Sequence, residues 1–202
     1  MRAIVQDQYG SPDVLEFRDI DTPAVKDDEV LVRVKASSVN PRDWHVMTGL
    51  PYLARLLGRS LGFGLRKPRR PTLGWDVAGI VEAVGQGVDR LHPGDEVFGW
   101  ADGAFAEFVS AGADDLVLKP AGLTFEQAAA CSLAGLTALQ AVRDHGRLQF
   151  GQNVLINGVG RSGHLRGADR LVAWCRSHRS VQHQERRHGQ LHRRRPSDRL
   201  HP

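Results

Sequence analysis

The chain has 202 residues, 41% hydrophobic and 25% charged, which suits a globular protein with a core to bury and excludes a disordered polyelectrolyte. Its apolar runs are too short to span a bilayer, and Asp7 and Asp13 interrupt the N-terminal stretch that a secretory leader would need, so a cytoplasmic location is expected. Two cysteines, Cys131 and Cys175, exclude a disulfide framework and a Cys-rich zinc site, while the net charge of +4 points at face value to nucleic acid or an anionic surface.

The first 120 residues read as β-rich. Strands are predicted at 1–5 and 14–17. In Glu29–Lys35, apolar Val30, Val32 and Val34 alternate with Leu31, Arg33 and Lys35, the period of a half-buried strand. Segment 50–73 carries Arg55, Arg59, Arg66, Lys67, Arg69 and Arg70 with no acid. It reads first as a solvated helix and loop, with an amphipathic membrane-facing or substrate-covering segment as the sharper alternative. Asp76–Val84 is a further strand in which Gly79 marks a bulge or a close approach. Pro93-Gly94-Asp95 is a tight turn before the strand Glu96–Trp100. Strands at 104–109 and 116–119 complete a set whose short lengths and frequent turns suggest a partly open β-barrel.

Two helical stretches follow. Thr124 with Gln127 is a capping box that opens Phe125–Cys131, and Leu136–Asp144 keeps helical spacing up to Gly146 as a C-terminal cap. Gly151–Gly158 then reads as a short buried strand running into a glycine turn, the opening of a nucleotide-binding βαβ unit. Beyond it the pattern breaks. Residues 160–202 contain no Ile, Phe, Tyr or Lys, and no helix or strand period survives among the Arg, His and Gln. They hold 11 Arg and 3 acids, whereas residues 1–159 hold 16 basic and 20 acidic residues. The basic character therefore belongs to the tail alone. Gly158-Val159-Gly160-Arg161-Ser162-Gly163 is a literal GxGxxG, but the apolar helix it should open is missing.

Several stretches carry a resemblance: MRAIVQDQYGSPDVLEF, EVLVRVKASSVNPRDWHVMTG, PTLGWDVAGIVEAVGQGVDRLHPGDEVFG, GAFAEFV, KPAGLTFEQAAACSLAGLTALQAV and GQNVLING. In this order they resemble the zinc-independent, quinone oxidoreductase-like (zeta-crystallin-like) branch of the medium-chain dehydrogenase/reductase superfamily, over residues 1–158. The resemblance implies a mainly β fold: a GroES-like, partly open β-barrel with helices, followed by a Rossmann α/β domain. Only the first Rossmann strand is legible, and the tail is expected to be disordered. The expected domains are a GroES-like alcohol-dehydrogenase-type domain at 1–123, the start of a Rossmann NAD(P)-binding domain at 124–159, and a basic tail at 160–202.

The implied chemistry is hydride transfer from NADPH to a quinone, enone or other conjugated carbonyl. By the resemblance, Asn40 matches a position beside the nicotinamide and Thr137 one near the cofactor, and Asp43, Trp44 and Tyr52 are candidates for the acceptor pocket. Asn40, Asp43, Trp44 and Tyr52 are thus the catalytic candidates; Asn40, Thr137, Gly158 and Gly160 are the cofactor candidates. Local readings stand beside these: an Asx turn before Pro41 for Asn40, a helix back-bond for Thr137, and core packing for Trp44. Zinc-dependent relatives place Cys or His ligands at positions equivalent to Asn40, Trp75-Asp76 and Leu133, so no zinc is expected. Cys131 reads as a small buried helix residue. Family members are often homo-oligomers. No specific nucleic acid and no membrane are expected as partners.

Shifting the reading frame by one base from Val159 onward permits SGGVGTFAVQIA, then GAEVTGVCSTRNVDMV, and GADxVIDYT near the end. These strings resemble the family's own Rossmann continuation, with a Ser-Thr-Arg run suited to a 2′-phosphate. A switch of frame near Gly158–Val159, leaving a truncated and impaired enzyme, is therefore expected. The alternative is a non-catalytic β-barrel module whose Arg-rich tail binds nucleic acid non-specifically.

Overall fold

A computed structural model describes residues 1–58, 62–149, 152–157 and 172–176. The chain divides into two units, Met1–Ala138 and Leu139–Pro202.

The first unit is built on a five-stranded antiparallel sheet. Its elements in chain order are β1 (Arg2–Val5), β2 (Glu16–Asp19), β3 (Glu29–Ala36), α1 (Pro41–Thr48), α2 (Tyr52–Leu57), β4 (Asp76–Val84), β5 (Glu96–Trp100), β6 (Phe108–Gly112), β7 (Leu116–Leu118) and α3 (Phe125–Leu139). The sheet order is β6-β3-β4-β5-β7, and β1 and β2 form a separate hairpin-like pair. Single bridges from Ala3 to Ala106 and from Val5 to Thr72 tie β1 to the chain beyond the sheet. Strands that alternate between small sheets and bridges in this way curl into a barrel rather than a flat layer.

The core follows from the alternation. Val30 and Val32 of β3, Val77 and Val81 of β4, and Val97 of β5 are buried together with Leu91 and Leu116. Leu31, predicted to face outward, is buried as well. β3 is a central strand, paired along one edge with β4 and along the other with β6. Gly79 is the close approach anticipated at β4. A Cβ there would stand 2.2 Å from the Arg33 carbonyl oxygen, and the β3–β4 register slips between Val34 and Ala36.

The capping box of α3 forms as predicted. The Thr124 N–H donates to Gln127 Oε1 at 3.0 Å, and the Gln127 N–H donates to Thr124 Oγ1 at 3.2 Å. α3 runs through Gly135 without a break and takes in the first predicted stretch and the start of the second, whose remainder is π-helical. Ala128 and Ala129 pack against Ala78 of β4, a seat that only small side chains allow. Cys131 is exposed on this helix, which corrects the buried position predicted for it.

The second unit opens with a π-helical turn at Gln140–His145, closed by the Gly146 N–H on the Ala141 carbonyl at 2.8 Å. It also contains β8 (Asn153–Asn157) and β9 (Val172–Arg176), which pair antiparallel from Asn153↔Arg176 to Asn157↔Val172. β9 lies within a stretch where no strand is predicted. Its backbone groups and those of β8 satisfy each other, which an isolated strand of a would-be parallel sheet cannot achieve alone. Gly158, Gly160 and the tail apart from Val172–Arg176 lie outside the described residues.

Candidate functional site

The site grows from the start of α1. Asn40 is extended (φ −116°, ψ 160°) and caps the helix, with Pro41 following as the first helical residue. Its side chain accepts the Asp43 N–H, and Asp43 Oδ2 accepts the Asn40 N–H at 2.8 Å, a reciprocal box. Gly49 at φ 68° ends the helix, its N–H on the His45 carbonyl at 2.8 Å. The local role that forms for Asn40 is side-chain capping of this helix.

Asn40 also reaches outward from its helix. Its Nδ2 donates to Asp76 Oδ2 at 2.9 Å. Asp76, the first residue of β4, is fully buried. The Ser38 hydroxyl donates to the same Oδ2, and the Leu133 N–H of α3 donates to Oδ1 at 3.1 Å. The Ser37 hydroxyl donates to the Asp76 carbonyl. One carboxylate therefore joins three elements: the β3–α1 connection, β4 and α3. Its donors also supply what a buried carboxylate requires in place of water.

Asn40 and the Leu133 amide thus meet at Asp76, while Trp75, its neighbour in the chain, lies against the Arg42 guanidinium. Among the described residues no group of three His, Cys, Asp or Glu side chains could hold a metal ion.

Asp43 differs from Asp76. It is 4% exposed, and its Oδ1 is buried without a hydrogen-bond partner. Burial pushes its carboxyl up to about 6. The Asn40 N–H, the Arg42 charge and the Gly74 backbone amide oppose that rise, and Asp76 adds to it. A cavity of about 20 Å³, room for a single water, lies beside it between Arg42, Val46, Leu73 and Asp102. Gly74 (φ +98°) closes this side; a Cβ there would meet the Phe105 N at 2.5 Å. The Arg42 guanidinium lies 3.5 Å from the Trp75 ring centroid and pairs with Asp102 at 2.8 Å.

The remaining candidates separate. Trp44 is half-buried against the Val46–Met47–Phe63–Leu73 cluster and meets His45 edge to face at 4.9 Å. This is the packing position of its local reading. Tyr52 starts α2 and is 72% exposed, outside the buried network. Thr137 is exposed on α3, one turn beyond Leu133. Asn40 and Asp43 are thus brought together; Tyr52 does not join them. Asp76 and Ser38 are not among the residues predicted for the site. A carboxylate opening the apolar strand DVAGIVEAV is the signal that could have found them, since a buried acid implies waiting donors.

Residues 26–121 match the family model of the alcohol dehydrogenase GroES-like domain. The quinone oxidoreductase of Homo sapiens is 37% identical over 164 residues, 79% of this chain and 46% of its own length. That of Lama guanicoe is 36% identical with the same coverage. Among solved structures, the quinone oxidoreductase from Coxiella burnetii superposes with a TM-score of 0.65 at 35% identity, covering 75% of this chain and 46% of that one. The Escherichia coli quinone oxidoreductase complexed with NADPH gives 0.64 at 29% identity, covering 75% and 43%. The chain spans about half the length of the curated relatives it matches.

Proposed function

The chain belongs to the quinone oxidoreductase-like family of medium-chain dehydrogenases/reductases, and on that premise we propose that it derives from an NADPH-dependent, zinc-free oxidoreductase of the cytoplasm. The reaction is hydride transfer to a quinone or conjugated carbonyl. The observation that supports it is the Asp76 network: both oxygens of the carboxylate are engaged by donors from Ser38, Asn40 and Leu133. Such a site leaves polarisation of the acceptor to neutral groups, which suits an acceptor whose reduced oxygens take protons from water.

The barrel residues would supply the nicotinamide side. Asn40 keeps one free lone pair on its amide oxygen after capping α1, and Thr137 stands exposed on the helix that Asp76 anchors. Trp44 and Asp43 would line the wall behind them, and Tyr52 would contribute only from the rim. Asp43, with its carboxyl near 6, is the group here that could hold or release a proton in the neutral range. The pyrophosphate side does not fit in the same way. β8 takes an antiparallel partner, and no parallel βαβ unit stands among the described residues. Gly158 and Gly160 remain cofactor candidates by motif alone. The resemblance of the shifted frame to the family supports a frame switch near Gly158–Val159 and with it the domain limit at 159; the limit at 123 rests on the family resemblance alone. Homo-oligomerisation is carried over from the family on the same basis.

Fluorescence titration with NADPH tests this reading. The 202-residue chain is expected to bind NADPH weakly, while the protein restored to the alternate frame after codon 158 binds it stoichiometrically and oxidises it with a quinone. Tight binding by the unrestored chain would contradict the frame switch. Failure of the restored protein to reduce quinones or enones would contradict the activity.

A further inference from the structure

Segment 50–73 contains a helix built inside out. Ala54 and Arg55 of α2 face the protein: Ala54 packs on the Phe63–Leu73 cluster, and Arg55 Nε donates to the Gly49 carbonyl at 2.8 Å. The Arg55 guanidinium also stacks over Tyr9 at 4.2 Å and over Tyr52 at 4.8 Å. Tyr52, Leu53, Leu56 and Leu57 face outward and are 63% to 72% exposed. A helix that meets water shows the reverse, charge outward and leucine inward.

Tyr9 holds the next stretch of chain beside α2. Its hydroxyl donates to the Gly64 carbonyl at 2.7 Å and accepts the Gly64 N–H at 2.9 Å. Leu65, next in the chain, is 68% exposed. Arg66 and Lys67 follow, both exposed and without an ion pair among the described residues. Arg69 and Arg70 are exposed as well, and the whole segment lacks an acid. Five large apolar side chains and the Arg66–Lys67 pair therefore stand out from this stretch, while Arg70 donates to the Asp102 carbonyl at 3.4 Å.

We propose that this face docks on the surface of an anionic lipid bilayer. The leucines enter the boundary between headgroups and acyl chains, and the cations meet lipid phosphates. Charge complementarity selects this occupant. A nucleic acid would use the cations and leave the leucines in water, and an apolar protein groove would strand the cations. The attachment is peripheral, since no helix among the described residues is long and apolar enough to cross a membrane. The proposal takes up the amphipathic alternative for this segment, because outward leucines are unfavourable in water alone.

The test is co-sedimentation of the full chain with vesicles of phosphatidylcholine alone, and with about 30% phosphatidylserine, at about 0.1 M salt. Binding to the anionic vesicles only is expected. Leu56→Ser with Leu57→Ser changes no charge, and it should lower the partition coefficient roughly tenfold or more. Arg66→Gln with Lys67→Gln should lower it roughly tenfold. Acetylation footprinting of the unaltered chain removes any dependence on variant folding: vesicles should protect Lys67 and leave Lys26 and Lys35 reactive. Several results would overturn the proposal. The leucine variant could bind like the parent, which would assign the binding to charge elsewhere, including the arginines after residue 160. A soluble polyanion could protect Lys67 as well as vesicles do, which would make this a general polyanion site. Lys67 could stay reactive on vesicles, or a concentration-dependent dimer lost in the leucine variant could protect it without them.

Discussion

The two ends of the α1–α2 region treat polarity in opposite ways. At the start of α1, two carboxylates, an amide and a hydroxyl are drawn inside. One helix later, leucines and a tyrosine are turned outward while an arginine is turned in. Partners decide both cases. Asp76 is buried because Ser38, Asn40 and the Leu133 amide meet it, and the leucines of α2 stay exposed because nothing in the first unit covers them. A polar interior marks the part of this barrel that is held rigid, and an apolar exterior marks the part that waits for a surface.

Within the polar interior, Asp76 and Asp43 provide the sharpest contrast. Asp76→Ala would leave the Ser38, Asn40 and Leu133 donors without an acceptor, and α3 would lose its anchor to β4. A loss of about 3–5 kcal/mol is expected from urea unfolding at pH 7. A loss under about 1 kcal/mol would show that the network does not organise the barrel.

Asp43 should act in the opposite sense. Its carboxyl sits at about 6 in the fold, above the usual value of 3.8. The folded state therefore binds the proton more tightly, and stability falls as pH rises from about 4 to about 6. The full loss is at most about 3 kcal/mol, complete above that window. Asp43→Asn removes the falling limb and should gain on the parent between pH 4.5 and 7.5, read as the difference in urea midpoints. Equal pH profiles for the two proteins would contradict the buried, unpartnered oxygen.

Asn40→Ala removes a helix cap and one donor to Asp76, an effect of about 1–2 kcal/mol by the same unfolding measurement. The smallest effect belongs to the surface. Arg33 pairs with Glu82 across β3 and β4 with both side chains more than a third exposed, so Arg33→Ala should shift stability by less than about 1 kcal/mol.

Much of the barrel is legible in the residues. Alternating valines place β3, and the bounds of β4 and β5 agree with the strands predicted for Asp76–Val84 and Glu96–Trp100. The capping box of Thr124 and Gln127 places the start of α3. The strand predicted at 104–109 forms later, at Phe108–Gly112, because Ala104–Phe105 turn aside to bond Gly74 and Leu73. α1 escapes a reading by period, although Asn40, Pro41 and Asp43 carry its capping grammar, since eight residues show barely two turns of periodicity. α2 defeats the usual pattern by facing its leucines outward. The site is half legible: Asn40 and Asp43 stand close in the chain, but the Asp76–Leu133 hydrogen bond joins residues that no local spacing connects. Tyr52 illustrates the converse, a residue near the site in sequence and at the rim in space.

The proposal of a zinc-free site rests on the hydrogen-bonded Asp76 carboxylate. Metal analysis tests it most directly: the purified chain is incubated with equimolar zinc at neutral pH, desalted, and assayed for retained metal. The account predicts far less than one equivalent, unchanged by Asp76→Asn. One equivalent of retained zinc, lost on Asp76→Asn, would contradict it.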